Sequence, residues 1–527
     1  MTIVEATLES RSRRISDRLK KVKGQAAILA ALGFIFLSGL FSMDTGDWMI
    51  TVLRGLSVGA ITFLVASGLS LIFGLMDVLN LAHGELFMLG AYVGWTVYVR
   101  PDTFMDVLLP LGIITAVFLA APLFNRLSGR VALTGTVGRF VPWALVVVGI
   151  VGMVLVLPRF PLSIWSLDTF ADTPVSNSLA FDTGVQILPP HATFDGSAFI
   201  LMAVLLVSVS LVAFGIALFK KTEAQAPRVT ARSLAPAIGV LLFAMASLLL
   251  NDVMTDWMYE LGTTYRFFIA LVVAAIGGFG LGALIEMILI RPLYERPIYQ
   301  LMITLGLGFI IIEMVRSIWG RPEFTMPKPA LFAGTGEGCP GTGVSGLFSG
   351  CSTVKVLDTR IRVYNEVFII AIGALVLLVV TLLIKRTRMG MIIRAGVQDR
   401  EMVEALGVNV RQVFTIVFAL GVGLAAFGGV IAGPALGLSS EMGSRVLLLA
   451  LIAMAVGGLT SFPGAAAGAV LVGLLQQFVT KLGSSGIPLP WLDEPFKPSP
   501  SLVPVSVITL MIVVLLVTPQ GLFGREE

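Results

Sequence analysis

The chain reads as an all-α protein, a polytopic transmembrane helix bundle of about 12–14 membrane segments. Three observations predict this. Of 527 residues, 56% are hydrophobic and only 13% charged, against about 25% charged in ordinary globular chains. The apolar residues fall into runs of roughly 20, the length a spanning helix needs, and lipid leaves helices as the spanning form for such runs. The 56 glycines suit close helix packing in a bilayer.

The elements follow in order. Residues 1–24 form a basic arm that ends in "RSRRISDRLKKVKG". We read it as an ordinary positive flank rather than a lipid-binding device. The first apolar run, 25–42, lacks a small-x-small cleavage site and reads as an uncleaved span. Further runs lie at 49–74, 81–99, 103–124, 141–158, 198–219, 234–250, 267–290, 298–319, 366–384, 414–436, 446–480 and 501–518. The 446–480 run is long enough to cross twice or to dip in and return.

Lys and Arg set the orientation. With the N-terminus cytoplasmic, the inside segments 1–24, 125–140, 220–233, 291–297, 385–413 and the C-terminus carry 23 of the 36 basic residues. The outside segments carry 11, five of them in the long loop 320–365. The outside loop 159–197 holds Asp168, Asp172, Asp182 and Asp195. Both termini are therefore expected in the cytoplasm. Cys339 and Cys351, the two cysteines, share the outside loop. An oxidising compartment favours a disulfide there, and two free thiols are the alternative. With two histidines in the chain and none near these cysteines, no metal site is expected.

One apolar stretch carries polar residues that need partners: "MDVLNLAHGELFMLGAYVG", Met76–Gly94. Polar groups are costly in hydrocarbon. Asn80 can N-cap a helix starting at Leu81, and Glu85 then sits near the positive end of its dipole. His83 can reach a neighbouring carbonyl. Gly84 weakens a helix start and is best explained by another backbone passing close. A second interruption, "GGLTSFPGA", holds Gly457, Gly458, Pro463 and Gly464. Breaks in corresponding places of two halves often mark a transport site. These two are candidates for a translocation path, and turns at a membrane face are the alternative. Gly55/Gly59, Gly90/Gly94, Gly278/Gly282, Gly429/Gly433 and Gly464/Gly468 have GxxxG spacing. Such spacing allows close helix approach, though this many glycines also produce it by chance. Arg54 can snorkel, Glu313 and Arg316 can pair at i, i+3, and Glu286 lies close to Arg291.

In the inside loop, "RAGVQDREMVEALGVNVRQ" predicts a short capped helix. Asp399 is the N-cap, Gly407 the C′ residue, and Arg400, Glu401, Glu404, Ala405 and Leu406 lie between. Met402, Val403 and Leu406 share a face. A helix this short is marginal alone and needs a surface, either its own bundle or a partner.

At these residues the sequence resembles the branched-chain amino-acid ABC importer permeases of the LivH/LivM type. Four blocks carry the likeness: Arg54–Gly94 with its Asn80, Ala82, His83, Gly84 core; "EMILIRPLYERPIYQLMITLGLGFII" with Glu286, Arg291, Pro292 and Leu293; "RMGMIIRAGVQDREMVEALGVNV"; and "GGLTSFPGAAAGAVLVGLLQQF", followed by "TPQGLFG". The likeness covers about 50–100 and 265–524. It implies core parts at 25–100 and 265–527, with an ATPase-docking loop at 385–413. Residues 101–264 are an insert with four extra spans, an even number that preserves the core's orientation.

The resemblance further implies an ATP-driven importer of hydrophobic amino acids in a bacterial inner membrane. The expected partners are ABC ATPase subunits, a second permease subunit or another copy of this chain, and a periplasmic solute-binding protein. No G-x-x-x-x-G-K-[ST] loop occurs, so ATP belongs on the partners and no cofactor on this chain. Urea and short amides are alternative solutes. An ion-coupled transporter would need buried carboxylates, for which Asp77 and Glu85 are nearest. No nucleophile–base pair suggests an enzyme, and nothing suggests a nucleic-acid partner.

Overall fold

The computed structural model describes residues 33, 43–131, 135–159, 196–219, 230–320, 323, 325–336, 338–343, 345–356, 359–398, 400–486, 497 and 499–524. The basic arm, the first predicted span at 25–42 and the four loop aspartates lie outside the described residues, as does Asp399. What is described is an all-α membrane bundle. Among these residues, ten helices are long and apolar enough to cross a membrane.

The helices are α1 (Thr45–Met76), α2 (His83–Val99), α3 (Pro101–Leu119), α4 (Ala121–Ser128), α5 (Gly135–Val156), α6 (Gly196–Phe219), α7 (Ala231–Leu249), α8 (Asn251–Glu260) and α9 (Thr263–Ile285). There follow α10 (Pro297–Trp319), α11 (Ile369–Arg386), α12 (Arg388–Gln398), α13 (Arg400–Ala405), α14 (Val410–Leu436), α15 (Met442–Gly457), α16 (Phe462–Ser485) and α17 (Leu502–Val517). The long apolar run at 446–480 is thus two helices. Gly458, at φ +113°, breaks it, and Ser461 caps the next helix by accepting from Gly464 N at 3.2 Å. Pro463 sits in that helix's first turn, where its missing N–H costs nothing.

The chain divides into two compact units, Met1–Trp95 with Phe267–Glu527, and Thr96–Arg266. In the first, α1 is largely buried and packs against α14, α15 and α16. Nine of the ten GxxxG glycines sit against a neighbouring helix, and Gly433 sits against the Met326 side chain. A Cβ on Gly55 or Gly59 would overlap α16 at Leu474 or Ala469, and one on Gly278 or Gly282 would overlap α14 at Ala426 or Val422. Gly277, beside Gly278, has open space instead.

Three charge pairs stand in this unit, at Glu366, Glu313 and Glu286. Arg54 donates to Glu366 at 3.0 Å, so it does not simply snorkel; Glu366 also accepts from Arg362 N at 2.8 Å. Arg316 pairs with Glu313 at 2.8 Å. Glu286, fully buried, opens a π-helical turn at Glu286–Ile290. It accepts from Arg291 at 3.2 and 2.9 Å, from Thr415 of α14 at 2.7 Å, and from the Tyr294 hydroxyl. Burial and that last bond push the Tyr294 phenol above its ordinary value.

Among the described residues, the loop before α11 is the one place with a sheet. Strands β1 (Gly341–Thr342), β2 (Thr353–Val356) and β3 (Thr359–Arg362) run in that order. β1 is parallel and β3 antiparallel to β2. Cys339 and Cys351 are joined here by a disulfide, Cα atoms 5.6 Å apart.

In the second unit α3 packs on α7 and α5 on α6. Among its buried polar groups Arg100 pairs with Asp102 at 2.9 Å, Tyr259 with Asp102 at 3.1 Å, and Asn251 with Asp106 at 3.1 Å.

Candidate functional site

The polar stretch after α1 folds back into the helix bundle. His83 rests against Gly68, eight residues back from the end of α1, or about 12 Å at a rise of 1.5 Å per residue. The chain leaves α1 at Asp77, in the left-handed region at φ 53°, and re-enters the bundle before α2 begins.

Helix α2 starts at His83, two residues later than the sequence suggests. Asn80 is therefore not its N-cap. Its Oδ1 accepts from Ala82 N at 3.1 Å, an Asx turn that competes with the helix for the same amide. Leu81 N donates to Thr304 Oγ1 of α10 at 3.3 Å. Asn80 and His83 are fully buried and Glu85 is 5% exposed.

The backbone passing close to Gly84 is the start of α15. Each glycine of the pair Gly84 and Gly443 would, given a Cβ, overlap the other's carbonyl. Both glycines are the second residue of their helix, so two helix N-termini meet there, each with a partial positive charge. Ser444 Oγ donates to Glu85 Oε1 at 2.8 Å. The residues Gly443 and Ser444 carried no sequence signal. Their motif "EMGS" is unremarkable until the fold brings it to Gly84.

Four buried polar atoms in this six-residue stretch make no hydrogen bond: Asn80 Nδ2, His83 Nδ1 and Nε2, and Glu85 Oε2. The backbone of Val65 lies beside the His83 ring, yet neither nitrogen is bonded to it. Buried polar groups are normally paired, and a cluster that is not marks a site or bound water. Beside it lies a cavity of about 300 Å³ bounded by α2, α10 and α15, with Glu85 and Ser444 as its polar lining.

The second interruption is elsewhere. Gly457 and Gly464 pack against one another. The C-terminal "TPQGLFG" clamps the turn through Leu522 N to Val456 O at 2.9 Å and Phe523 N to Gly457 O at 3.0 Å. Gly458 and Gly521 meet there. The turn reaches α1 at Gly74, close to Thr460, but does not join Asn80, His83 and Glu85.

The segment 385–413 holds two helices, α12 and α13, where the sequence suggested one. Thr387 caps α12 by accepting from Gly390 N at 3.0 Å. The helix expected between Asp399 and Gly407 is present as Arg400–Ala405. Its stop is as expected. Gly407 has φ +82°, Gly407 N donates to Glu404 O at 3.0 Å and Val408 N to Val403 O at 3.4 Å. That pair of bonds is a Schellman motif. The apolar face is split: Val403 is buried, while Met402 is 58% and Leu406 76% exposed.

A helix bundle interrupted inside its own core, with orphaned polar atoms and a cavity at the interruption, is the architecture of a multi-pass solute permease. The chain belongs to the family described as branched-chain amino acid transport system / permease component, whose model matches residues 51–224 and 231–518. Relatives include the high-affinity branched-chain amino acid transport system permease protein LivH of Salmonella typhimurium and of Escherichia coli K12. Each is 27% identical over 285 residues, 54% of this chain and 80% of the relative. BraD of Pseudomonas aeruginosa, a permease protein of the same description, is 30% identical over 165 residues, 31% of this chain and 49% of BraD. No solved structure matches significantly.

Proposed function

We propose that this chain is the membrane-spanning permease subunit of an ATP-driven importer carrying branched-chain or other hydrophobic amino acids across a bacterial inner membrane. Family membership supports the transport role. The observation that carries the ATP-driven part is α13, a helix with a firm Schellman stop and exposed Met402 and Leu406. It is built to be pushed, and a capped helix transmits movement where a loose linker would absorb it.

In this reading ATPase subunits dock on 385–413, with Arg400, Glu401, Glu404, Ala405, Leu406 and Gly407 at the contact and Asp399 at its edge. ATP is bound by those partners. A second permease, or another copy of this chain, completes the membrane part. A solute-binding protein delivers from the opposite side, where an oxidising periplasm suits the Cys339–Cys351 bond. Solute passes the Asn80–Glu85 junction. The Gly457–Gly464 turn closes the neighbouring end of α1.

The test is uptake by proteoliposomes holding the chain with its ATPases and binding protein. Radiolabelled leucine should accumulate only with ATP inside the ATPase compartment, and a protonophore should leave it unchanged. Collapse under the protonophore at constant ATP would replace this reading with ion coupling. Uptake of urea in place of leucine would reassign the solute.

A further inference from the structure

We propose that Glu85 is the cation-binding residue of the transport path, its carboxylate receiving the ammonium group of a small aliphatic solute seated in the cavity between α2, α10 and α15. This rests on the permease reading above and adds the chemistry of its site.

Three glutamates are buried in the described residues: Glu85, Glu286 and Glu366. Two of them have an arginine. Glu286 holds Arg291, with Thr415 and Tyr294 on the same carboxylate. Glu366 holds Arg54 and a backbone amide. Glu85 has a single bond, from the neutral hydroxyl of Ser444, and its Oε2 has none. A buried carboxylate without a counter-charge is costly. Two helix N-termini offset part of that cost. They do not supply a donor to Oε2.

The room for a counter-charge is next to that atom. Gly308 of α10 lines the cavity with Glu85, and a Cβ at Gly308 would lie 3.6 Å from Oε2. That oxygen is itself covered, and Glu85 reaches the cavity wall beside the bare backbone of Gly308. The other walls are apolar: Leu81, Leu305, Phe309, Ile312, Leu447 and Leu451. A volume of about 300 Å³ is at the small end of the roughly 300–1,000 Å³ typical of small-molecule sites. One carboxylate at the base of an open apolar groove, with Leu305 and Phe309 half-exposed or more on its rim, fits a branched or linear alkyl group ending in an ammonium.

The full chain in lipid nanodiscs tests this with 3-methylbutylamine as probe and 3-methylbutanol as its uncharged twin. The amine should bind the wild type at least tenfold more tightly than E85Q, while the alcohol binds both alike. G308L, which fills the chamber, should weaken both. Should E85Q fail to fold, the wild type alone gives the answer. Labelling of Glu85 by a hydrophobic carbodiimide should slow with the amine and not with the alcohol. Equal amine affinity in wild type and E85Q, or no protection from labelling, would overturn the proposal. If leucine uptake is nonetheless ATP-driven, the permease reading stands without it. Absence of ATP-driven uptake, with the amine bound as expected, would remove the importer reading and leave the site.

Discussion

Gly84 and Gly443 stand second in α2 and α15 and meet backbone to backbone, and the residues that follow them, Glu85 and Ser444, are joined by a 2.8 Å hydrogen bond. The glycines set the distance at which that bond can form.

A methyl group at either glycine should therefore part the helices. We expect Gly84→Ala or Gly443→Ala to cost about 1–3 kcal/mol, the usual range for overpacking, and to lower the melting temperature in detergent. Gly277→Ala, where nothing lies within 4 Å, is the control and should be neutral or stabilising by up to about 1 kcal/mol. Equal melting of all three variants would show that the crossing is not tight.

A charge deletion in the Glu286 cluster should be damaging. Arg291→Ala leaves a fully buried carboxylate with hydroxyl partners only. Breaking a buried pair costs about 3–5 kcal/mol, and the 34% exposure of Arg291 places the expectation at the low end of that range. Glu286→Gln, which removes the charge and keeps the shape, should cost less. Thermal unfolding of the two variants side by side gives the order, and a milder Arg291→Ala would contradict it.

These two cases show what was legible in the sequence. Hydropathy located the described spans because each must be apolar over its whole length. Gly407 was legible because a C′ glycine follows from local backbone rules. Glu286 and Arg291 are five residues apart, so their pairing could be seen. Arg54 and Glu366 are 312 residues apart, and Ser444 and Glu85 359; no local pattern connects them. The start of α2 was misplaced because Asn80 serves an Asx turn as readily as an N-cap. The helix α12 was missed because its residues, "RMGMIIRAGVQ", mix two glycines with charges, which hid the start that Thr387 marks as an N-cap.

The Cys339–Cys351 bond closes a short loop around β1. A loop of about 15 residues corresponds to roughly 3 kcal/mol in the chain-entropy account. A maleimide reagent should label the denatured wild type only after reduction. The double serine variant should unfold earlier, with loss confined to the loop. Labelling without reductant would show two free thiols.

Gly407 sits at φ +82° with open space around it, so its requirement is conformational, not steric. An L-residue there costs about 1–2 kcal/mol, and proline cannot adopt the angle at all. Gly407→Pro should reach the membrane in normal amount and lose ATP-driven uptake. Leu406→Glu, which leaves the backbone alone, should reduce co-purification of the ATPase. Normal uptake in Gly407→Pro would end the coupling role of α13.

His83 separates a structural role from a transport role by the sign of its effect on stability. Its ring is fully buried against Gly68, and neither nitrogen is hydrogen-bonded. An unsatisfied buried polar group costs about 1–3 kcal/mol, so the native fold holds the imidazole at a loss. His83→Leu, close in volume and without the polar atoms, should therefore melt no lower than wild type, and by this reasoning higher. His83→Ala removes contacts as well and should melt lower. If the imidazole serves solute or water moving past Asn80 and Glu85, both variants should lose uptake per folded molecule, with the more stable Leu variant no better than Ala. Melting temperature and leucine uptake measured on the same preparations decide between the roles. A destabilised His83→Leu with normal uptake would make the ring a packing residue and would place the path elsewhere in the bundle.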